Sequence, residues 1–434
     1  MIRLAAALLL CVSAAALAAP DPRFDQGGPA TFDLKSKKSQ MQLADAPAMP
    51  VYGPHERLWI VADATAKVLN DEGVAVEEVS PGRAAGTGTG KMARRLAERG
   101  VHFTATPLTQ LFRTQDFPPE DAAFRNYDRA NAELRALAAA APELASVFSI
   151  GQSLQGRDIL ALRLNTTAKG QAPSAKPGAL FLGTHHSREH LSTEVPLLTA
   201  RWLIENRSKP EIAKLLDGRD VYFIPMVNPD GVEIDIAGGQ YHMHRKNGRD
   251  NGNGAIGVDL NRNYGSHWGE SGSSTDPESD TYQGPAPFSE PESLAVKRFI
   301  DARPNLKMEV SYHSYSELIL WPWSWTSESL DDARAVAAYK HMGEEMARMT
   351  GYTAEQSSAL YPSAGDTCDW SWEAHKIFSF TFELTPKTQW EGGFYPGAVA
   401  IQTTFQANLR PSLYMIDMAD DPYRAADAAT GASR

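Results

Sequence analysis

Between residues 125 and 384 the sequence alternates short apolar runs with longer amphipathic segments. The apolar runs are typical of buried strands: FSIGQ, ILALRLN, ALFLGTH, VYFIPMVNP, MEVSYHS and IFSFTFEL. Segments such as NYDRANAELRALAAAAPEL and ARAVAAYKHMGEEMARM place apolar residues at helical spacing. This alternation predicts an α/β fold, an α/β/α sandwich around a mixed, largely parallel central sheet.

Polar side chains that can bind a metal stand where the predicted strands end. His186 follows ALFLG, Asn228 closes VYFIPMV, His313 closes MEVSY, and Glu383 ends IFSFTF. In open α/β sheets, ligands bind at the carboxyl ends of the strands. We therefore expect these side chains to converge on one site.

The stretch THHSREHL, residues 184–191, places three histidines, an arginine and a glutamate within six residues. Burial of imidazole and carboxylate groups costs free energy unless each finds a partner, and a metal ion is such a partner. A catalytic zinc site takes three protein ligands, commonly imidazoles and a carboxylate, and leaves one position open. We predict His186, Glu189 and His313 as these ligands.

The same stretch also matches H-x-x-E-H, the inverted zincin motif, in which both histidines bind zinc from one helix. Here the motif follows a strand-like run ending in Gly183, and Pro196 fits the first turn of the next helix. The motif is therefore placed on a loop, and the inverted zincin is disfavoured. His185 and His190 are interpreted as packing or hydrogen-bonding histidines.

Composition and charge limit the class of protein. The chain has 434 residues, 42% of them hydrophobic, and a formal charge of −11. It is long enough for a large domain and a smaller one, and it lacks the basic surface that nucleic-acid binding requires. We predict an α+β module with a linker at residues 51–121, a catalytic domain at 122–421, and a flexible tail at 422–434.

The N-terminal stretch MIRLAAALLLCVSAAALAAP is typical of a signal peptide, with predicted cleavage after Ala18. A lipoprotein anchor at Cys11 is the alternative, disfavoured by the bulky Leu10. Residues 19–50 are predicted to be a flexible leader, and no other apolar run approaches the length of a membrane span. The protein is therefore expected to be secreted or periplasmic, with Cys368 as its single remaining cysteine.

Seven segments together resemble one family: HSRE, NPDG, HRKN, GVDLNRNY, YQGPAPFSEPE, YHSYSELILWP and FTFEL. Their order and spacing are similar to those of the zinc carboxypeptidases of the pancreatic A and B type, over residues 122–421. The resemblance implies one Zn²⁺ per chain and hydrolysis of the C-terminal bond of peptides or proteins. It also implies a monomeric zymogen whose leading module is a pro-segment, with an activating protease as a possible partner.

The resemblance also implies the role of each matching residue. His186, Glu189 and His313 would bind zinc, and Glu383 would activate water as a base and then protonate the leaving amine. Arg245 would stabilise the oxyanion. The remaining residues would act on the substrate or support a ligand: Asn261, Arg262, Tyr361, Asp366 and Arg188 for substrate binding, and Asp259 as the acceptor that orients a zinc histidine.

By the resemblance of YPSAGDTCDW to the family's segment, the pocket for the final side chain would be lined by Asp366, Thr367, Cys368, Leu320, Ser324 and Thr381. An acid in this pocket favours Lys and Arg, whereas Leu320 and the Cys368 thiol favour apolar chains, so we predict mixed specificity. The alternative is that Asp366 only caps a loop backbone.

Two other functions remain compatible with these residues. One is hydrolysis of cell-wall peptides that contain diaminopimelate, and the other is a catalytically inactive peptide-binding module. The sequence DNGNG, residues 250–254, lacks the full ligand spacing of a calcium loop and is interpreted as a solvated turn.

Overall fold

The computed structural model describes the chain in two compact units, residues 1–113 with 249–257, and residues 114–248 with 258–434. In the first unit it gives the backbone of four strands, and from residue 115 to residue 429 it describes every residue except 253. The predicted signal peptide and leader lie outside the described residues. The segments ATAKVLNDEG and KMARRLAERG, whose sequences predict helices, also lie outside them. Within residues 249–257, Asn251 and Ala255 close a turn with a backbone hydrogen bond of 3.1 Å.

The first unit contains an antiparallel sheet of four strands in the order β2-β3-β1-β4. Its strands are β1 (Arg57–Val61), β2 (Val76–Ser80), β3 (Arg83–Gly88) and β4 (Thr104–Pro107). The glycine-rich segment AAGTGTG, residues 84–90, has a composition that predicts a turn, but this prediction is wrong for residues 84–88, which belong to β3. These small residues pair with strands on both sides, and pairing of this kind outweighs the low strand propensity of glycine.

The second unit is built on a sheet of eight strands in the order β11-β10-β12-β9-β7-β8-β6-β5. The strands are β5 (Ala145–Gln152), β6 (Asp158–Leu164), β7 (Gly178–Gly183), β8 (Asp220–Ile224), β9 (Leu306–Ser314), β10 (Leu318–Trp321), β11 (Thr353–Gln356) and β12 (Phe378–Leu384). The central strands β12, β9, β7 and β8 are parallel neighbours. Strands β7, β8 and β12 are buried along their whole length, which explains their continuous apolar sequences.

Helices cover both faces of this sheet. They are α1 (Tyr127–Ala140), α2 (Leu191–Glu205), α3 (Pro210–Gly218), α4 (Pro229–Asp235), α5 (Pro291–Asp301), α6 (Ala333–Thr350), α7 (Thr367–His375), α8 (Ala400–Met418) and α9 (Arg424–Ala429). One core joins the sheet to α1, α2, α3, α6 and α8, and a second core joins it to α5 and to Trp370 of α7. This arrangement confirms the predicted α/β/α sandwich.

The segment from Gln115 to Asp121 belongs to the second unit, although it was predicted to be part of a linker. Gln115, Phe117 and Asp121 are all buried. The backbone N–H of Gln115 donates to Glu233 Oε2 at 2.8 Å, and Asp121 accepts from Tyr241 at 2.6 Å. Pro118 and Pro119 indicated a linker. The tertiary contacts that hold this segment leave no signal in the local sequence. We refer to residues 115–121 as the entry segment.

The predicted flexible tail is wrong for its first half. Residues 424–429 form α9, whose Ala425 and Ala426 are buried. Arg334 of α6 donates to Asp427 at 2.9 Å, and the hydroxyl of Tyr423 donates to Asp332 at 2.8 Å. An alanine-rich segment of this length has little helical signal by itself, and packing on α6 stabilises it.

Candidate active site

Three neighbouring parallel strands bring the predicted site residues to one edge of the sheet. His186 follows the end of β7, His313 is the penultimate residue of β9, and Glu383 is the penultimate residue of β12. His313 and Glu383 are direct partners in the register of β9 and β12. Carboxyl ends of parallel strands meet at one edge, and these three side chains lie there. Asn228, also expected at this site, instead caps α4 by accepting from Gly231 at 3.0 Å and donates to the carbonyls of His185 and Lys246.

The turn between β7 and α2 carries His186 and Glu189. A Cβ atom at position 183 would lie 2.1 Å from the carbonyl oxygen of Ser192, so only glycine lets α2 start this close to the strand. The hydroxyl of Ser187 donates to the carbonyl of His244 at 2.7 Å and ties the turn to the segment before Arg245. Helix α2 begins at Leu191, so Pro196 lies in its second turn. The prediction that Pro196 lies in the first turn is therefore wrong.

Donor atoms of His186, Glu189 and His313 face one another across a small, buried space. They form the one group in the described part of the chain whose donors all lie within 4.8 Å of each other, as a metal site requires. His186 Nδ1 is 2.8 Å from Glu189 Oε1, and His313 Nδ1 is 3.0 Å from both Glu189 Oε2 and His186 Nδ1. These three residues can hold a metal ion.

The other nitrogen of each imidazole is held by a polar side chain. His186 Nε2 is 3.0 Å from Asp259 Oδ1, and His313 Nε2 is 3.0 Å from the hydroxyl of Ser311. The second oxygen of Asp259 accepts from Arg245 Nε at 3.0 Å and from Nη2 at 2.9 Å. Asp259 therefore orients both an imidazole and the guanidinium beside it.

The charges in this cluster depend on each other. Burial disfavours the ionised form of Glu189, but the attraction of His186 and His313 outweighs it and holds the pKa of Glu189 well below its usual value. Burial lowers the pKa of His186, whereas Glu189 outweighs burial at His313 and raises the pKa of that ring. An ionised carboxylate beside two imidazoles is a donor set suited to a divalent cation.

Glu383 faces an open pocket next to this cluster. The pocket is lined by His186, Asn261, Arg262, His313, Leu320, Ser357, Leu360, Tyr361, Ser363, Asp366, Thr381 and Glu383. Burial, and then repulsion from Glu189, raises the pKa of Glu383 to about 7. A carboxyl group with a pKa near neutrality is able to accept and release a proton under physiological conditions.

Asn261 and Arg262 lie on the short helical turn Leu260–Arg262 at the wall of the pocket. Arg262 Nε donates to the carbonyl of Gly272 at 3.1 Å and Nη1 to that of Asn261 at 2.7 Å. Its Nη2 atom makes no hydrogen bond to any described residue. The guanidinium carbon lies 5.9 Å from the ring centroid of Tyr361, which is 47% exposed. A free guanidinium nitrogen at the mouth of a pocket suits a carboxylate ligand.

Asp366 both lines the pocket and caps helix α7. Its Oδ1 atom accepts from the backbone N–H of Asp369 at 2.7 Å, so the capping role left open by the sequence is present. Leu320 and Thr381 also line the pocket, and Cys368 lies behind Thr381, with Sγ 3.3 Å from Oγ1. Burial raises the pKa of Asp366. Ser324, whose backbone N–H donates to Asp369 at 2.9 Å, and Thr367 are not among the residues that line the pocket.

Arg188, His190 and His185 are not among the residues that line this pocket. Arg188 donates to the carbonyl of Met243 at 3.1 Å and to Asp280 at 3.0 Å, and it lies 4.3 Å from the ring centroid of Phe394. His190 bonds to Asp235 at 2.8 Å, away from the donor cluster, which rules out the inverted zincin reading. His185 is likewise not one of the converging donors, as predicted.

Two polar residues near the site were missed from the sequence. Ser311 lies two residues before His313 and so on the same face of β9, a relation that the spacing S-x-H could have shown. Glu309, a further two residues back, is fully buried and accepts from Ser371 at 2.5 Å. Its position inside an apolar run gave no functional signal.

Comparison with known families agrees with this geometry. The sequence profile described as zinc carboxypeptidase matches residues 130–410, more than half of the chain. The chain belongs to the zinc carboxypeptidase family. This membership confirms the resemblance inferred from the seven motifs.

Individual zinc carboxypeptidases are similar over much of their length. A zinc carboxypeptidase of Saccharothrix mutabilis subsp. capreolus is 37% identical over 304 residues, 68% of this chain and 69% of that protein. Carboxypeptidase B of Astacus astacus is 32% identical over 270 residues, 60% of this chain and 86% of that protein. Bovine thrombin-activatable fibrinolysis inhibitor, solved with tick carboxypeptidase inhibitor, aligns with a TM-score of 0.60 and 27% identity, covering 68% of this chain and 97% of that one.

Family membership assigns the cofactor and the reaction class. Zinc carboxypeptidases bind one Zn²⁺ per chain and hydrolyse the C-terminal bond of peptides, and the comparisons do not favour the cell-wall hydrolase or the inactive binding module. Tetrahedral ligands about 2.0–2.1 Å from zinc stand roughly 3.3 Å apart, close to the 2.8–3.0 Å contacts of the donor cluster. The residues present therefore fit the metal.

Among the described helices, none has the length and apolarity that crossing a membrane requires.

Proposed function

We propose that His186, Glu189 and His313 bind the zinc ion and that Glu383 is the general base of the reaction. The observation that carries this proposal is the convergence of three buried donors within 4.8 Å, beside a pocket that Glu383 also lines. Zinc, when bound there, supplies Lewis acidity that polarises the scissile carbonyl and lowers the pKa of water. Replacement of either histidine by alanine is expected to abolish zinc binding, as measured by metal analysis of the purified protein.

The proposed reaction depends on proton movement at Glu383. Its carboxylate would take a proton from the attacking water and deliver it to the nitrogen of the leaving residue. Arg245 would stabilise the developing oxyanion through Nη1, because Nε and Nη2 are committed to Asp259, whereas Nη1 is 3.7 Å from Glu189. A fixed cation at this position stabilises charge that exists only in the transition state.

Recognition of a free C-terminus would come from Asn261, Arg262 and Tyr361. The unused Nη2 of Arg262 and the side-chain amide of Asn261 would bind the terminal carboxylate, and Tyr361 would close over it. Arg188, whose Nε has no hydrogen-bond partner among the described residues, would bind the substrate further from its terminus. Product analysis on peptides with free and amidated C-termini tests this step, and equal cleavage of both would contradict it.

We further propose that the enzyme releases both basic and apolar residues. Asp366 is buried in the pocket wall without an ion-pair partner in the described chain, and Leu320 lines the same pocket. A basic side chain would supply the missing cation, whereas an apolar chain would pack on Leu320. Asp366→Asn removes the charge and keeps a good helix cap. The ratio of kcat/KM for Lys-ending over Leu-ending peptides should fall, and an unchanged ratio would contradict the role of Asp366.

The export and activation of the protein are part of the same proposal. The signal-like N-terminus supports export, for which N-terminal sequencing of the exported protein before activation should give Ala19. Cleavage between about Arg113 and Asp121 would remove the pro-segment that the resemblance implies, and the burial of the entry segment favours the part of this range before Gln115, such as the bond after Arg113. Cleavage by a trypsin-like protease should raise activity, with Arg113→Gln as the resistant control. Equal activity before and after cleavage would contradict an inhibitory pro-segment.

All proposed site residues come from one chain, which supports a monomer. Light scattering coupled to size exclusion measures this directly.

A further inference from the structure

A second buried histidine lies behind the proposed metal centre. His185 has no exposed surface, and its ring lies 5.8 Å from that of His313, with 9° between the two planes. Its ring nitrogens contact side chains of three different segments, Ser311 of β9, Thr367 of α7 and Tyr264. The proposed reaction gives this histidine no task.

These contacts form a continuous chain from the proposed carboxylate-binding amide to the proposed metal ligand. Thr367 Oγ1 is 3.2 Å from Asn261 Oδ1 and 3.1 Å from His185 Nε2. The hydroxyl of Ser311 is 3.1 Å from His185 Nδ1 and 3.0 Å from His313 Nε2. All five residues are buried, so solvent does not compete for these hydrogen bonds.

The direction of the hydrogen bonds is fixed at one end of the chain. The backbone N–H of Thr367 is 3.0 Å from Asn261 Oδ1, and an N–H can only donate, so this atom is the amide oxygen. The hydroxyl of Thr367 faces the same oxygen and has a single hydrogen to donate to it. At its other contact, Thr367 Oγ1 must therefore accept from His185 Nε2.

The direction then passes through the imidazole. With its proton on Nε2, shared between Thr367 and the hydroxyl of Tyr264 at 2.9 Å, neutral His185 has only a lone pair on Nδ1. Ser311 must donate to that lone pair, and so its oxygen accepts from His313 Nε2. His313 is left with its Nδ1 lone pair facing Glu189 and His186, where the metal would bind.

We propose that His185 and Ser311 are positioning residues that hold His313 in its metal-binding tautomer. His186 has the carboxylate of Asp259 for this purpose, whereas at His313 a serine and a second imidazole take the place of a carboxylate. Groups that orient a metal-binding histidine typically contribute 10–100-fold to metal affinity. This inference rests on the proposed zinc ligands, and it assigns a role to two residues, His185 and Ser311, that are not among them.

Zinc affinity of variants tests the proposal. The zinc Kd of Ser311→Ala and of His185→Phe, measured by competition with a chromophoric chelator, should rise by about 10–100-fold over that of wild type. Ser379→Ala is the matched control, because Ser379 is a buried serine on the neighbouring strand β12 whose hydroxyl donates to Cys368 O at 2.7 Å, outside the chain. Its Kd should stay at the wild-type value. A wild-type Kd in folded Ser311→Ala would overturn the positioning role, whereas a wild-type protein without zinc affinity would overturn the proposed ligand set itself.

The tautomer of His185 provides a second test, whose outcome is measured on the wild-type protein. In zinc-loaded wild type labelled with ¹⁵N-histidine, long-range ¹H–¹⁵N spectra should show His185 with the proton on Nε2 and a bare Nδ1. Assignment comes from the resonance lost in His185→Phe. A proton on Nδ1 of His185 would reverse the hydrogen bonds of Ser311 with His185 and with His313, and would overturn the proposal.

Discussion

Glu383 is the side chain on which the proposed chemistry most depends. Glu383→Gln keeps the shape of the side chain and removes its ability to carry a proton, so kcat should fall by about 10²–10⁴-fold. Zinc content should remain at one per chain, because Glu383 is outside the donor cluster. Measurement of kcat and of bound zinc on the same sample checks both parts. A variant with full activity would show that another group is the base.

The pH profile should reflect the same carboxyl group. Glu383 has a pKa raised to about 7 and must be ionised to accept a proton, so kcat/KM should fall as the pH is lowered through that pKa. A bound cation favours the carboxylate, which moves this acid limb to lower pH. Activity measured from pH 5 to pH 8 should therefore show an acid limb with a midpoint at or below pH 7. A limb above pH 7 would exclude Glu383 as its origin.

Glu309 should make stability depend on pH. Its Oε1 has no hydrogen-bond partner among the described residues, and burial raises its pKa from 4.5 to about 8. Between these values the unfolded chain releases a proton that the folded chain keeps, so the free energy of unfolding falls as the pH rises. Glu309→Gln should flatten this dependence between pH 5 and pH 8 in urea titrations. Parallel curves for wild type and variant would contradict the assignment.

Residue roles were predictable where chemistry is local in sequence. His186 and Glu189 share one turn, and His313 and Glu383 close apolar runs that could be recognised as strands. The partners of His185 could not be predicted, because Ser311, Thr367 and Tyr264 reach it from three segments that meet only in the folded sheet. Asp366 lines the pocket, and its cap on α7 could not be settled from the sequence because it depends on where that helix begins.

Among the elements, the entry segment is the part most clearly set by tertiary contacts. Phe117 is 3% exposed and packs edge-on against His190, with ring centroids 4.7 Å apart. Truncation of a buried phenylalanine costs about 3–5 kcal/mol of stability. Phe117→Ala should therefore lower the free energy of unfolding by that amount, as measured by urea titration of the activated enzyme.

Glu120→Ala is the control for that measurement, because Glu120 is exposed in the same segment. Its free energy of unfolding should stay within about 0.5 kcal/mol of wild type. A comparably small effect of Phe117→Ala would mean that the entry segment contributes little and that cleavage within it could be tolerated.

Long elements were predicted well and short ones poorly. The strands and helices between residues 127 and 384 follow apolar patterns that extend over several turns or pleats. Strand β3, the entry segment and helix α9 are short. Glycine and proline have low strand and helix propensities in the first two, whereas α9 is rich in the helix former alanine but too short to be stable alone. Neighbouring strands and helices decide their conformation, and this information is absent from a local window.

For the whole molecule, zinc should act as a stabilising ligand. The proposed donors come from the β7–α2 turn and from β9, so bound metal would join segments far apart in sequence. A ligand that binds only the folded state adds RT ln(1 + [L]/Kd), about 4 kcal/mol at a thousandfold excess over Kd. Dialysis against a chelator should lower Tm, and addition of zinc should restore it. An unchanged Tm with zinc fully removed would contradict this linkage.

The pairing of His313 with Glu383 sets the spacing of the reaction centre by the sheet itself. Adjacent strands lie about 4.8 Å apart in every β-sheet, and hydrogen bonds along the whole ladder maintain this separation. Changes in surface loops would therefore leave the distance between the proposed base and the proposed ligand unchanged. A slip of one residue between the two strands would turn one of these side chains to the opposite face of the sheet. The relative position of the two side chains therefore cannot change in small steps through a change of register.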